Sequence, residues 1–244
     1  MFGLAASILE ILYNATTRLL DKREVSRDGG VARALLELVL LLQEISVRGN
    51  RILGLARRFA DRTADDATAG QFDQALQEQV ATLTELRTAV AGARPLLATV
   101  DPAVYLQLAP FLDAKSGLLT RWEQQRRTSG FSTTTLFFLD HEAIDRVAAT
   151  GREGATVDGL AADRADLVMA IADTIRQART TEVRDIRRLD EAQSVRLLAE
   201  IGGAQTDLDR AGELCVQLLA SIEAAVGSTG MASLRRDLLK GSRG

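Results

Sequence analysis

The chain has 244 residues and a formal net charge of −3, and 46% of its residues are hydrophobic, 26% charged and 4% aromatic. This composition is that of a globular protein and excludes an intrinsically disordered chain. The acidic balance argues against a strong nucleic-acid binder, because neutralising phosphates requires a basic surface. The single cysteine, Cys215, excludes an internal disulfide framework and a cysteine-built zinc site.

The first twenty residues lack the pattern of a secretory signal, because no positive charge precedes their apolar part and Glu10 interrupts it. The longest hydrophobic stretch, residues 35–42, contains Glu37 and is too short to span a bilayer. Arginine far exceeds lysine, and this usage indicates a GC-rich bacterial genome. We therefore expect a soluble, cytoplasmic bacterial protein.

Apolar residues recur at helical spacing in residues 3–20, 31–62 and 72–98, which predicts three helices. The second helix is apolar on most sides in its first half, because Leu36, Leu40 and Leu41 widen its stripe. A helix of this kind is expected at the centre of a bundle. Gly49 is expected to weaken or kink it. Residues 63–70 are polar and predict a turn.

Asp101 and Pro102 form a helix start, and Pro110 is expected to bend the helix that follows. A short helix over 141–150 precedes a glycine-rich linker over 151–159. Residues 160–201 then predict one helix roughly 60 Å long, since each residue adds 1.5 Å. The glycine pair at 202–203 ends or bends it, a helix follows over 206–226, and a short helix over 231–240 closes the chain.

These elements predict an all-α fold, an elongated helical bundle with long antiparallel helices that pack as in a coiled coil. Three regions are expected. Residues 1–130 form an N-terminal helical bundle, residues 131–159 an irregular segment with a short helix and a linker, and residues 160–244 a long helical hairpin with a tail. All three regions can also belong to one domain.

Residues 131–139 depart from the helical pattern, because they are uncharged, apolar and prone to extended structure. An exposed apolar segment of this kind marks a docking or membrane-inserting element. The alternative is a loop folded back over the bundle. The candidate interaction residues are Phe131, Leu136, Phe137, Phe138 and Leu139.

His141 is the only histidine, and Glu142 and Asp145 accompany it. On a helix, His141 and Asp145 share a face, which resembles a helical metal motif, but a zinc site needs a third ligand from elsewhere. The competing interpretation is a helix start with acidic residues in its first turn. No cofactor is expected. Cys215 lies in an apolar run and is expected to be a buried, inert thiol.

No catalytic constellation emerges from these patterns, so the sequence favours a non-enzymatic protein that acts through protein–protein interaction or self-assembly. A homo-oligomer or a protein partner is expected, and no nucleic acid. One alternative is a membrane-active protein, either pore-forming or peripheral, which the amphipathic residues 3–20 and the apolar run 136–139 motivate. A second alternative is a metal-dependent hydrolase at His141.

Overall fold

The computed structural model describes residues 2–20, 30–100 and 186–241, together with Val104, Gln107 and Leu108. It contains helices α1 (Phe2–Leu20), α2 (Gly30–Ala60), α3 (Asp66–Val100) and α4 (Glu191–Gly241), and a 3-10 turn (Ile186–Arg188) before α4. The described residues are 95% helical and include no strand. The prediction of an all-α bundle is confirmed.

Helix α2 is the centre of the bundle, because α1, α3, α4 and the 3-10 turn all pack against it. Sixteen of its 31 residues are buried, Leu35 and Leu36 among them, so more than one of its faces is covered. The wide apolar stripe therefore predicts its central position correctly. The helix continues through Gly49, which is itself buried.

Helices α2 and α3 form an antiparallel hairpin. Near the turn that joins them, the rings of Phe59 and Phe72 meet edge to face, with centroids 5.5 Å apart. Halfway along, the buried side-chain amide of Gln79 donates to the carbonyl oxygen of Ile45 at 3.0 Å. This bond fixes the register of the hairpin, because a buried donor that loses its acceptor is costly.

Helix α3 begins at Asp66, so the predicted turn over 63–70 is wrong for its second half. The cause is a helix cap. A side-chain oxygen of Asp65 accepts hydrogen bonds from the backbone N–H of Thr68, at 2.7 Å, and from the Thr68 hydroxyl. The first bond satisfies a backbone N–H in the first turn of the helix, and both bonds lower the pKa of Asp65.

Helix α4 packs antiparallel to α2. The amide of Gln205 donates to the side-chain oxygen of Asn50 at 2.8 Å, while ten residues later Cys215 lies against the carbonyl oxygen of Val39. The buried residues of α4 alternate at spacings of three and four, as in a coiled coil, and the antiparallel coiled-coil prediction holds for this pair. This inner seam is Ser194, Leu197, Ile201, Ala204, Leu208, Ala211, Cys215, Leu218 and Ile222.

The predicted continuous helix over 160–201 is wrong in its described part, because the chain leaves the α-helical path between Ile186 and Asp190. Asp190 and Gln193 form a capping box. The Asp190 carboxylate accepts from the Gln193 backbone N–H at 2.8 Å, and the Gln193 side chain accepts from the Asp190 backbone N–H at 2.9 Å. This reciprocal pair starts α4 at Glu191.

The predicted break at Gly202 and Gly203 is also wrong, since α4 runs through both glycines. Both are exposed, while Ile201 and Ala204 beside them hold the helix on the bundle. The departure comes instead at Gly227, whose φ of 76° and ψ of 163° kink the helix. The segment after the kink is helical, as predicted. The expected boundaries at 130 and 159 lie outside the described residues.

Candidate interaction surfaces

The predicted interaction residues lie outside the described residues, and so does His141. These are Phe131, Leu136, Phe137, Phe138 and Leu139. Within the described ranges, no group of three or more histidine, cysteine, aspartate or glutamate side chains is placed to hold a metal ion.

Cys215 lies on the inner seam, with only 1% of its surface exposed, and its thiol faces the carbonyl oxygen of Val39 at 3.9 Å. Burial raises the pKa of this thiol to about 12. A thiolate is needed for nucleophilic attack or metal binding, so the raised pKa favours an unreactive thiol at neutral pH. The prediction that Cys215 is buried is confirmed, and its lack of reactivity stays a prediction.

A second apolar row runs along the edge of α4, one position beyond the inner seam, and its last residue, Leu219, is half-buried against the core. Its exposed valines, Val195 and Val216, have 65% and 66% of their surface accessible. The row keeps heptad spacing, with an apolar pair at each end and glycines inside. We call it the outer seam: Val195, Leu198, Gly202, Gly212, Val216 and Leu219.

The centre and flanks of the outer seam are polar. Gln205 and Asp209 occupy the two heptad positions in its middle, and the Gln205 amide donates to the Asp209 carboxylate at 2.9 Å. Arg196 lies at one end, whereas Glu213 and Glu223 lie toward the other, and all three are exposed. Glu191 and Glu200 flank Arg196 on the same helix, so acidic side chains predominate at both ends of the seam.

A groove of about 770 Å³ opens between α2 and α3. Small and apolar side chains form its floor, and leucines stand on both sides. We call it the α2–α3 groove. Its floor is Ala34, Leu40, Leu41, Ala89, Ala93 and Leu96.

The rim of the α2–α3 groove is acidic. Among the described residues that line it, Glu37, Glu44 and Glu85 are acidic and Arg33 is basic. Glu44 forms an ion pair with Arg48, whereas Glu37 and Glu85 are exposed and form no ion pair with other described residues. Among the described residues, the rim therefore carries more negative than positive charge beside apolar surface.

Polar bridges hold the hairpin together at the Glu44 end of the groove. The Arg48 guanidinium donates to the Glu78 carbonyl oxygen at 2.7 Å as well as to Glu44, and Arg51 pairs with the Glu78 carboxylate at 3.3 Å. Together with the bond from Gln79 to Ile45, these contacts fix the spacing of α2 and α3. The groove is thus a preformed feature of the hairpin.

The C-terminal segment of α4 reaches the same groove. Leu238 is one of its lining residues and packs against the core, as Leu234 does. Met231 is buried one turn earlier, whereas Arg235 and Arg236 are exposed. This segment after Gly227 is thus a short basic helix with one apolar side.

Helix α4 is also the one described helix that is long and apolar enough to cross a membrane by length and composition. Only 22% of its most apolar window is buried in the bundle. The exposed share of that window includes Val216 of the outer seam.

Comparisons with protein-family models, with curated proteins and with solved structures give no match. The function of the chain therefore has to be argued from its own surfaces. The sequence patterns alone predict neither the outer seam nor the α2–α3 groove. The inner seam already explains the main heptad pattern of α4, so the sequence gives no reason to expect a second row. The outer seam nevertheless has the same spacing, at Val195, Leu198, Val216 and Leu219.

Proposed function

We propose that this protein is a non-enzymatic interaction protein that self-associates along the outer seam of α4. One observation supports this most: the seam places Val195 and Val216 at heptad positions with about two thirds of each side chain exposed, 65% and 66%. Apolar heptad positions on a long helix are stabilised when a second helix covers them. The regular spacing of the row distinguishes it from singly scattered apolar residues such as Val47.

A second copy of the chain is the partner that the seam fits best. Two copies packed antiparallel bring Val195 of one opposite Leu219 of the other and Leu198 opposite Val216, and the symmetry repeats each pair. Gly202 and Gly212 allow the backbones to approach closely, since nothing lies within 4 Å of a Cβ at either position. The polar pair of Gln205 and Asp209 sets the register, as buried polar positions do in coiled coils.

Light scattering after size exclusion tests this, over a wide range of protein concentration. We expect the wild type to form dimers and Val216→Glu to shift the protein to monomers, because a buried carboxylate at the seam is costly. Val47→Glu is the matched control, since Val47 is an equally exposed valine, 63%, on α2. A wild type that stays monomeric at every concentration, or equal behaviour of the two variants, would overturn the proposal.

Membrane association is the second candidate, and the apolar window of α4 favours it. Co-sedimentation with neutral and anionic vesicles separates it from self-association. Vesicle binding that Val216→Glu abolishes and Val47→Glu preserves would assign the exposed side of α4 to the lipid surface.

A further inference from the structure

We propose that the α2–α3 groove binds an amphipathic basic helix of about four turns, supplied by a partner protein. The groove lies on the α3 side of the bundle, and none of the outer-seam residues lines it. The inference therefore concerns a second surface and does not depend on self-association through α4.

The length of the groove fits a helix. It extends from Gly30 to Glu44 along α2 and from Thr84 to Leu96 along α3. At 1.5 Å per residue these stretches are about 21 and 18 Å long, which is the length of a helix of roughly 14 residues. A volume of about 770 Å³ accommodates the apolar side chains of one face of such a helix.

The chemistry of the groove specifies the kind of helix. Small residues such as Ala89 and Ala93 let a ligand approach the backbone of α3 closely, and Leu40 and Leu41 receive its apolar side chains. Helix-in-groove recognition uses apolar anchors at i, i+3, i+4 and i+7. The exposed carboxylates of Glu37 and Glu85, which form no ion pair with other described residues, favour lysine or arginine beside those anchors.

The chain itself provides an example of such a ligand. Beyond Gly227, α4 carries its apolar residues at 231, 234 and 238, which is i, i+3 and i+7 spacing, with Arg235 and Arg236 exposed. Leu238 from this segment already lines the groove. One apolar residue of a helix that also carries basic side chains therefore already contacts this groove.

Fluorescence anisotropy with two labelled peptides tests the inference on the full chain. One peptide has about 14 residues of leucine and lysine in amphipathic helical order, and the other replaces every lysine with glutamate. We expect the lysine peptide to bind about tenfold more tightly or better, because like charges at an interface are costly. Equal affinities, or no binding of the lysine peptide, would overturn the inference.

Two pairs of variants locate the binding. Gly92→Trp fills the groove, and Gly54→Trp places the same side chain elsewhere on the hairpin; a Cβ has open space at both positions. We expect Gly92→Trp to weaken lysine-peptide binding about tenfold or more and Gly54→Trp to leave it unchanged, since only the first occupies the anchor site. Equal binding by the two would show that the peptide lies elsewhere.

Charge-reversal variants test the acidic rim of the α2–α3 groove, again with a control at another position. Glu37→Lys combined with Glu85→Lys is expected to reduce the preference for the lysine peptide, while Glu213→Lys on α4 preserves it. A preference that survives the double change would contradict recognition by the rim. The Val216→Glu variant is expected to keep peptide binding, so a failure of self-association and a failure of this inference remain distinguishable.

Discussion

The surroundings of Glu200 change the pKa of its carboxyl group. It is half-buried on α4, and this burial raises its pKa, while the nearby Arg196 guanidinium acts in the opposite direction. The folded state therefore holds the proton of Glu200 more tightly than the unfolded state does. Its contribution to the free energy of unfolding is fully present below the unfolded pKa of 4.5 and is lost as the pH rises through the higher folded pKa.

Glu200→Gln is expected to increase the free energy of unfolding at neutral pH, because the amide is never charged and avoids the cost of burying a carboxylate. The gain over wild type should disappear below pH 4.5, where Glu200 is protonated. Urea unfolding across this pH range measures it. Glu213→Gln, at an exposed position of the same helix, is the control. A variant that is less stable than wild type at neutral pH would contradict the expectation.

At the scale of the element, α4 contains two kinds of glycine that respond oppositely to the same substitution. Gly227 has a φ of 76° and a ψ of 163°, a region in which a side chain is strained. Gly202 has helical geometry and open space for a Cβ. The first glycine creates the kink of α4, whereas the second only weakens the helix.

Gly227→Ala is expected to lower the free energy of unfolding by about 1–3 kcal/mol, the cost of that backbone conformation for other residues. Gly202→Ala is expected to raise it by about 0.5–1 kcal/mol, because alanine is the better helix former. Chemical unfolding monitored by circular dichroism measures both, in the Val216→Glu background so that self-association along the outer seam does not contribute. A loss of stability in Gly202→Ala would indicate that α4 does not continue through this position.

Periodicity alone predicts the elements that bury a continuous stripe. The predicted spans 3–20 and 31–62 agree with α1 and α2 within two residues at each end. The starts of α3 and α4 were missed, because Asp65 and Asp190 act through local side-chain hydrogen bonds that leave no periodic trace. The continuity of α4 was missed because the inner seam outweighs the low helix propensity of a glycine pair.

The surfaces were harder to predict than the helices, since a surface depends on which helices become neighbours. The apolar excess of Leu40 and Leu41 on α2 is visible in the sequence, and both residues do border the α2–α3 groove. Their partners on α3 cannot be assigned without the register that the bond from Gln79 to Ile45 fixes. The acidic rim is likewise assembled from carboxylates on both helices.

At the scale of the whole molecule, Cys215 lies between α4 and α2. The rate at which a reagent modifies its thiol therefore measures how often the two helices separate. We expect a thiol reagent such as dithionitrobenzoate to react with native protein only as fast as the bundle opens, because the thiol is buried and protonated. Reaction in denaturant should be immediate. Val47→Cys in a Cys215→Ser background provides an exposed reference thiol. Rapid labelling of Cys215 in the native protein would contradict the packing of α4 on α2.

The pairing of α4 with α1 and α2 also sets an order of events during translation. Glu10 and Arg210 pair at 2.8 Å across 200 positions of the chain, and Asn50 and Gln205 pair across 155. At roughly 5–20 residues per second, a ribosome needs about 10–40 s to synthesise 200 residues. During that interval the nascent α1 and α2 lack the helix that later covers them. Their leucine-rich faces are therefore exposed to solvent during synthesis, and we expect a chain stalled before α4 emerges to display the surface that the finished protein conceals.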